Sequence, residues 1–154
     1  MEQQEQRQSI KDEMIMVIEE ARMVLPGVQA LFGFQLIAVF SDTFNSLSPG
    51  VRRLHLLSMA LVALTVIFIM APAAFHRIGQ RGWVSRRLID TTSNFLTASM
   101  ATLIVGVSLE FGLVSGVILH DTFEAFALGS ALFVGLLVCW VILPLRFRRL
   151  RRQY

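Results

Sequence analysis

The sequence predicts an all-α integral membrane four-helix bundle, made of two transmembrane helical hairpins with a short N-terminal amphipathic helix. Three observations lead to this fold class. The 154-residue chain is 55% hydrophobic with a mean hydropathy of +0.62, whereas soluble domains are about 45–50% apolar. Charged residues make up only 16% of the chain, and almost all of them lie outside four long apolar runs. Each run reaches the length of about 20 residues that an α-helix needs to cross a bilayer.

The four runs form one transmembrane domain that covers residues 1–154. Ser48 followed by Pro49 is typical of an N-cap and first helical residue, and Asp121 with Glu124 fits a capping box. The polar residues from Asp90 to Ser93 offer caps for the third span. The predicted spans are residues 26–47, 50–75, 94–119 and 123–145, after a cytoplasmic amphipathic segment (1–24) and before a basic cytoplasmic tail (146–154).

The amphipathic segment is predicted from apolar residues at helical spacing before the first span. Such a helix lies on the membrane surface or binds a cytoplasmic protein. Its acidic residues weaken the lipid alternative, because anionic headgroups repel them. The apolar positions are Ile10, Met14, Val17, Ile18 and Ala21.

Arginine placement predicts the orientation. Twelve of the basic residues lie in the N-terminal segment, in the connection between the second and third spans and in the C-terminal tail, whereas only Arg52 and Arg53 lie on the other side. Because basic residues concentrate on the cytoplasmic side, both termini are expected in the cytoplasm. The same distribution favours anionic lipid headgroups as partners and argues against nucleic acid.

Small residues at four-residue spacing predict close helix packing, since membrane helices approach where side chains are small. The packing is expected within the chain, although a stripe of this kind can also face a second copy or a larger membrane complex. The third span carries Ser108, Gly112 and Gly116, and the fourth carries Ala127, Ala131, Gly135 and Cys139.

Three stretches of the first half resemble a known family: Leu25–Leu36, Arg53–Leu56 and Ala71–Ile78. They are similar to a family of small bacterial membrane proteins of unknown function, some of whose relatives carry an automatic sodium/proton antiporter label. The resemblance implies a four-span protein of the bacterial inner (cell) membrane. It implies no established activity and no site residues.

Ionisable residues inside the spans are the candidates for chemistry, because a charged side chain in a bilayer costs about 2.5–3.5 kcal/mol on insertion scales. Glu110 lies within the third span and is either a structural carboxyl or a group that handles protons or cations. Gln35 and Asp42 are seven residues apart, which predicts a polar stripe on one face of the first helix. The candidates for an ion or proton pathway are therefore Gln35, Asp42, Glu110 and also His55, which lies at the outer end.

The same outer end carries a weaker candidate for a metal site. His120 and Glu124 are four residues apart, so that an imidazole and a carboxylate share one helix face, although helix capping already explains this acidic segment. At the inner end, arginines are expected to contact lipid headgroups. These are Arg77, Arg86, Arg87, Arg146, Arg148 and Arg149.

No enzyme motif is present, since the chain contains no P-loop, no HExxH, no G-x-S-x-G and no Gly-rich dinucleotide turn. We therefore expect no enzyme activity and no cofactor, and the one cysteine, Cys139, excludes an internal disulfide. Two functions stay open. The chain is either an ion- or proton-conducting channel or transporter that acts as a homo-oligomer, or a non-catalytic accessory subunit of a larger membrane complex.

Overall fold

A computed structural model describes residues 2–79 and 86–150 of the chain, with the side chains of residues 12, 15–16, 18–75, 77–78 and 90–149. All regular structure in these residues is helical. The elements are α1 (Glu2–Ala38), α2 (Asp42–Ser46), α3 (Pro49–Gly79), α4 (Arg86–Leu119), α5 (Thr122–Leu137), a π-helical turn (Val138–Ile142) and α6 (Leu143–Leu150).

Four helical stretches are long and apolar enough to cross a membrane: Ile18–Ala38, Pro49–Phe75, Asp90–Leu119 and Thr122–Arg149. The predicted all-α membrane bundle is therefore confirmed. An even number of spans also places the start of α1 and the end of α6 at the same end of the bundle. We refer to it as the terminal end, and to the opposite end as the loop end.

The first span lies closer to the N-terminus than predicted. α1 continues through Pro26, so the amphipathic segment is helical but forms one helix with the first span. The side chains of Ile10, Met14 and Val17, which defined its apolar face, lie outside the described residues. A membrane helix tolerates an internal proline where neighbouring helices and side chains satisfy the freed carbonyl. Pro26 therefore does not mark the start of the first span.

Two predicted helix starts are confirmed by their hydrogen bonds. Ser48 Oγ accepts from the Val51 amide at 3.4 Å, and Asp121 Oδ1 accepts from the amides of Phe123 and Glu124 at 2.6 and 3.1 Å. The predicted caps of the third span were wrong. Asp90–Ser93 lies inside α4. The third span therefore begins earlier than predicted, among residues that had been assigned to the connection between the second and third spans.

The core of the bundle lies between α3 and α4, which form the most extensive helix pair, and α1 packs against α3. Its apolar members are Val28, Val62, Ile69 and Leu103. Val62 and Thr65 on α3 are completely enclosed. Residues of α3 that are three or four positions apart, such as Val62 and Thr65, lie on one face of the helix, and this face points into the protein. The same face carries the polar residues of the site.

α4 and α5 approach each other at glycines. A Cβ atom on Gly112 would lie 3.1 Å from the Ala125 carbonyl oxygen and 3.4 Å from Gly129 Cα, and one on Gly116 would lie 3.0 Å from Ala125 Cβ. The predicted packing stripe on the third span is therefore confirmed.

For the stripe on the fourth span, the expected packing within the chain was wrong. α5 packs through Ala125 and Gly129, one helix face away, and no atom lies within 4 Å of a Cβ placed on Gly135. Both α5 faces carry small residues, so their spacing alone did not distinguish the packed face from the outer one. The exposed set is Ala127, Ala131, Gly135 and Cys139.

The fourth span contains a π-helical turn just before Pro144. In this turn the Leu143 amide donates to the Val138 carbonyl, five residues back. A proline has no amide hydrogen and its ring collides with the carbonyl four residues earlier, and a local widening to π geometry accommodates that collision. The basic segment of α6 follows directly.

Candidate functional site

The two ionisable residues within the α3–α4 interface form a buried pair. His55 Nδ1 lies 3.0 Å from Glu110 Oε1 and 3.1 Å from Oε2. The side chains are 6% and 13% exposed, so this pair is shielded from the surroundings on nearly every side. His55 is located about 9 Å along α3 from its start, which puts the pair within the span and toward the loop end.

Two uncharged side chains complete the cluster. Ser58, one turn after His55, donates its hydroxyl to the Glu110 carboxylate, and Gln35 on α1 donates from Nε2 to Ser58 Oγ at 3.1 Å. His55 Nε2 is 3.2 Å from the backbone carbonyl of Gln35. We name the four residues Gln35, His55, Ser58 and Glu110 the polar cluster; it ties α1, α3 and α4 together.

The contacts of His55 define where its protons lie. A carbonyl oxygen can only accept, so Nε2 donates to Gln35, and Nδ1 then faces Glu110. One proton between Nδ1 and the carboxylate gives either an imidazolium with a carboxylate or a neutral imidazole with a carboxylic acid. Either way the pair is neutral overall. Removal of that proton leaves a single negative charge, held by the hydroxyl of Ser58.

A cavity of about 150 Å³ leads to the pair from the loop end. His55 and Glu110 line it, together with Ser41 of the α1–α2 turn and with Thr43 and the Phe44 ring of α2. That ring packs edge-on against the His55 imidazole, with centroids 5.2 Å apart. The pair therefore borders a cavity at one end of the bundle whose wall is mostly aliphatic, with a few hydroxyl groups and one aromatic ring among its lining.

Toward the terminal end, buried hydroxyl groups continue along the same interface. Thr65 Oγ1 and Thr102 Oγ1 are 2.7 Å apart, and Ser99 and Thr92 are buried further along α4. Val62 occupies the position between Ser58 and Thr65, which are separated by about 10 Å along α3. The row of polar groups is thus interrupted by one fully enclosed apolar side chain.

Two predicted members of the pathway, His55 and Glu110, are brought into contact, and Gln35 is adjacent to them. Asp42 is not among them. α1 ends at Ala38, Ser41 caps the separate helix α2 through the Phe44 amide, and Asp42 is exposed in its first turn. The predicted Gln35–Asp42 stripe was wrong, because a turn interrupts the helix on which the two residues were taken to share a face.

The predicted metal ligands are exposed at the loop end. His120 has a left-handed backbone, with φ of 55°, and precedes the N-cap of α5, so His120 and Glu124 are not four residues apart on one helix. Within the described part of the chain, no group of three or more histidine, cysteine or acidic side chains is placed to hold a metal ion.

The arginines expected at lipid headgroups lie at the terminal end, and those that the structure describes are exposed. Arg77 lies near the end of α3 and Arg146, Arg148 and Arg149 lie in α6. The side chains of Arg86 and Arg87 lie outside the described residues.

Ser58 and the Thr65–Thr102 pair were missed in the sequence. The signal was present, because residues 55, 58, 62, 65 and 69 of α3 follow helical spacing and three of the five are polar. Serine and threonine are common in membrane helices, however, where they often bond to their own backbone. Only the neighbouring helix distinguishes a polar row from such local bonding.

The chain was compared with protein families, curated proteins and solved structures. No curated protein and no solved structure is significantly similar to the chain. A model of a family of unknown function, DUF6328, matches residues 2–144, which cover the four spans almost completely. This match agrees with the resemblance to a family of membrane proteins without an assigned activity. The chain therefore belongs to the DUF6328 family of unknown function.

Proposed function

We propose that this protein moves protons across the membrane by reversible protonation of the His55–Glu110 pair. The observation that carries the proposal is the position of the pair: it is buried within the span and lines a cavity that opens at the loop end. Ionisable groups inside membrane spans are expensive and usually functional. A pair used only to join helices has no need of an opening.

The charges of the pair support exchange of a single proton. With the proton between Nδ1 and the carboxylate, the cluster is neutral and stable in an apolar setting. Without it, one buried negative charge remains, which is costly in a low-dielectric interior. Release is therefore favoured when another positive charge compensates the carboxylate, and a monovalent cation entering the cavity is the simplest one. Gln35 Oε1, which belongs to the same polar cluster, is buried without a hydrogen-bond partner among the described groups.

Val62 supports a gated pathway over an open pore. Protons reach the pair from the cavity, but the next polar group toward the terminal end lies beyond a fully enclosed valine. Passage across that step requires a helix movement or entry of water. This arrangement suits a transporter or a slow channel, since a continuous wet pore would not contain such a barrier.

The orientation follows from the basic residues. Arginines crowd the terminal end, so we place both termini in the cytoplasm and the cavity on the outer side. The bacterial inner membrane is the site that the family resemblance favours. The pair then loads protons from outside the cell, and Thr65 and Thr102 lie on the route inward.

Assembly into a homo-oligomer is part of the proposal. The face of α5 that carries Ala127, Ala131 and Gly135 is exposed, and small residues of this kind allow close approach of a second helix in lipid. The same face is the observation that favours the second candidate function, a non-catalytic subunit that binds a larger membrane complex. Transport activity of the chain alone separates the two.

The test is proton flux in liposomes that contain only this protein, read with a pH-sensitive dye inside. We expect flux above that of empty liposomes, with Glu110→Gln reduced to the empty level because the amide cannot titrate. Glu124→Gln is the matched control: Glu124 is an exposed glutamate at the start of α5, and we expect its variant to retain full flux.

A sodium gradient imposed without a pH gradient tests coupling in the same vesicles. A change of the internal pH that follows the sodium gradient would indicate that the protein exchanges sodium ions for protons. No such change would indicate that it moves protons without sodium. Wild-type liposomes without flux at pH 5 and at pH 8 would rule out transport and leave the accessory subunit. Full flux in Glu110→Gln would remove the pair from the pathway.

A further inference from the structure

A second and larger cavity lies at the terminal end, far from the polar cluster. It has a volume of about 370 Å³ and lies between the inner halves of α1, α3 and α4. Leu25, Ile69 and Leu96 give it an apolar wall. We call it the terminal cleft.

The cleft exists because small side chains and a proline leave the space between the helices unfilled there. Ala21 of α1 and Ala73 of α3 leave space where larger side chains would close the gap, and Pro72 lies in the same wall. α1 packs less extensively on its neighbours than α3 does on α4. An apolar gap between spans is open to the surrounding lipid, and a hydrocarbon chain is the natural filling.

Two cations mark the mouth of the cleft. Arg22 of α1 and Arg77 of α3 both line it and are exposed, and neither forms an ion pair with a side chain that the structure describes. Arg77 lies just beyond Phe75, at which the second span ends, and thus at headgroup depth. Two guanidinium groups beside an apolar cleft match a phosphate attached to a hydrocarbon chain.

We propose that the terminal cleft is a binding site for an anionic phospholipid. One acyl chain lies between α1 and α3, and the phosphate pairs with Arg22 and Arg77. Basic pockets between membrane helices on the cytoplasmic side bind lipid headgroups in this way. The site is independent of proton movement, and it fastens α1, which carries Gln35 of the polar cluster, to the rest of the bundle.

The test measures thermal unfolding of the purified full-length protein in mixed micelles of neutral detergent. A ligand that binds only the folded state at about 100 times its dissociation constant raises the melting temperature by about 5–10 °C for a chain of this size. We expect that shift with phosphatidylglycerol and little change with phosphatidylcholine of the same chains. Inorganic phosphate alone is expected to give no shift, because it lacks the hydrocarbon chain.

Three variants distinguish a built site from a general attraction to a basic surface. Arg22→Gln combined with Arg77→Gln should abolish the phosphatidylglycerol shift, whereas Arg52→Gln combined with Arg53→Gln, an exposed pair at the loop end, should preserve it. Ala73→Phe fills the cleft and leaves both arginines in place, and it should also abolish the shift.

Each contrary result overturns the proposal in a different way. An unchanged shift in the Arg22/Arg77 double variant removes the headgroup contact, and an unchanged shift in Ala73→Phe reduces the effect to surface charge. A shift with inorganic phosphate equal to that with the lipid makes the cleft a site for a free anion. If either variant melts too early to compare, native mass spectrometry of bound lipid gives the same distinction.

Discussion

The imidazole of His55 and the carboxylate of Glu110 lie 3.0 Å apart although the two residues are separated by 55 positions in the chain. They come from the loop-end portions of α3 and α4, the two helices that form the most extensive contact in the bundle. Their pairing offsets the charge that each would carry alone in the bilayer.

The pairing predicts an asymmetric response to mutation. His55→Leu leaves the Glu110 carboxylate buried without its cation, which costs about 3–5 kcal/mol of stability. We therefore expect His55→Leu to be clearly less stable than wild type at pH 8. Thermal unfolding of both proteins in detergent measures the difference.

The double variant His55→Leu/Glu110→Leu is the control, because it removes both charges together. It should be more stable at pH 8 than His55→Leu alone. If the double variant is the less stable of the two, the pair does not compensate its charges in the way described.

Val62 predicts the location of the barrier to protons. Val62→Thr keeps the shape of the side chain and adds a hydroxyl between Ser58 and Thr65, so we expect proton flux through liposomes to rise several-fold. The added hydroxyl can bond to a carbonyl one turn back, which limits the cost of its burial. Val105→Thr makes the same change at an exposed position of α4, and flux that rises equally in both variants would contradict a barrier at Val62.

The contact of α4 with α5 predicts that Gly112 and Gly135, both assigned to packing stripes from their spacing, differ in how well they tolerate a large side chain. Gly112→Leu drives a large side chain against the Ala125 carbonyl and Gly129, and it should lower the stability by about 1–3 kcal/mol. Gly135→Leu meets open space within the chain and should leave the melting temperature of the monomer nearly unchanged. Equal loss of stability in both variants would contradict this packing.

The proposed orientation predicts which sites are reached from outside the cell. In a Cys139→Ser background, Asn45→Cys on α2 should react with a membrane-impermeant maleimide on intact bacteria, and Arg148→Cys on α6 should not. Both positions are exposed, so access to the reagent decides the result. Labelling of Arg148→Cys alone would reverse the orientation, and permeabilised cells, in which both should react, provide the control.

Hydropathy predicted the number and type of the spans, since crossing a bilayer restricts sequence strongly. Glu110 was found for the same reason, as a charge inside an apolar run. Its partner was not assigned, because the rotation of α3 against α4 depends on packing across the whole interface. Local patterns were weaker still: Asp42 shares a helical phase with Gln35, but Ser41 begins a new helix between them.

Prediction from the spacing of small residues had the same limit on α5. The spacing of Ala127, Ala131 and Gly135 resembles that of Ala125 and Gly129, and each set defines a face of α5 on which another helix can pack. The choice between them is made by Gly112 and its neighbours on α4, through contacts that no single helix contains.

Only His120 and Asp121 separate α4 from α5, so we expect these two helices to enter the bilayer together, as one hairpin. α5 is strongly apolar, and its favourable transfer into lipid helps to carry α4, with its costly Glu110, across the same step. Translation runs from the N-terminus, and α3 has by then left the ribosome. We therefore expect His55 to be in the membrane before Glu110 arrives, so that the carboxyl meets its partner within the nascent protein.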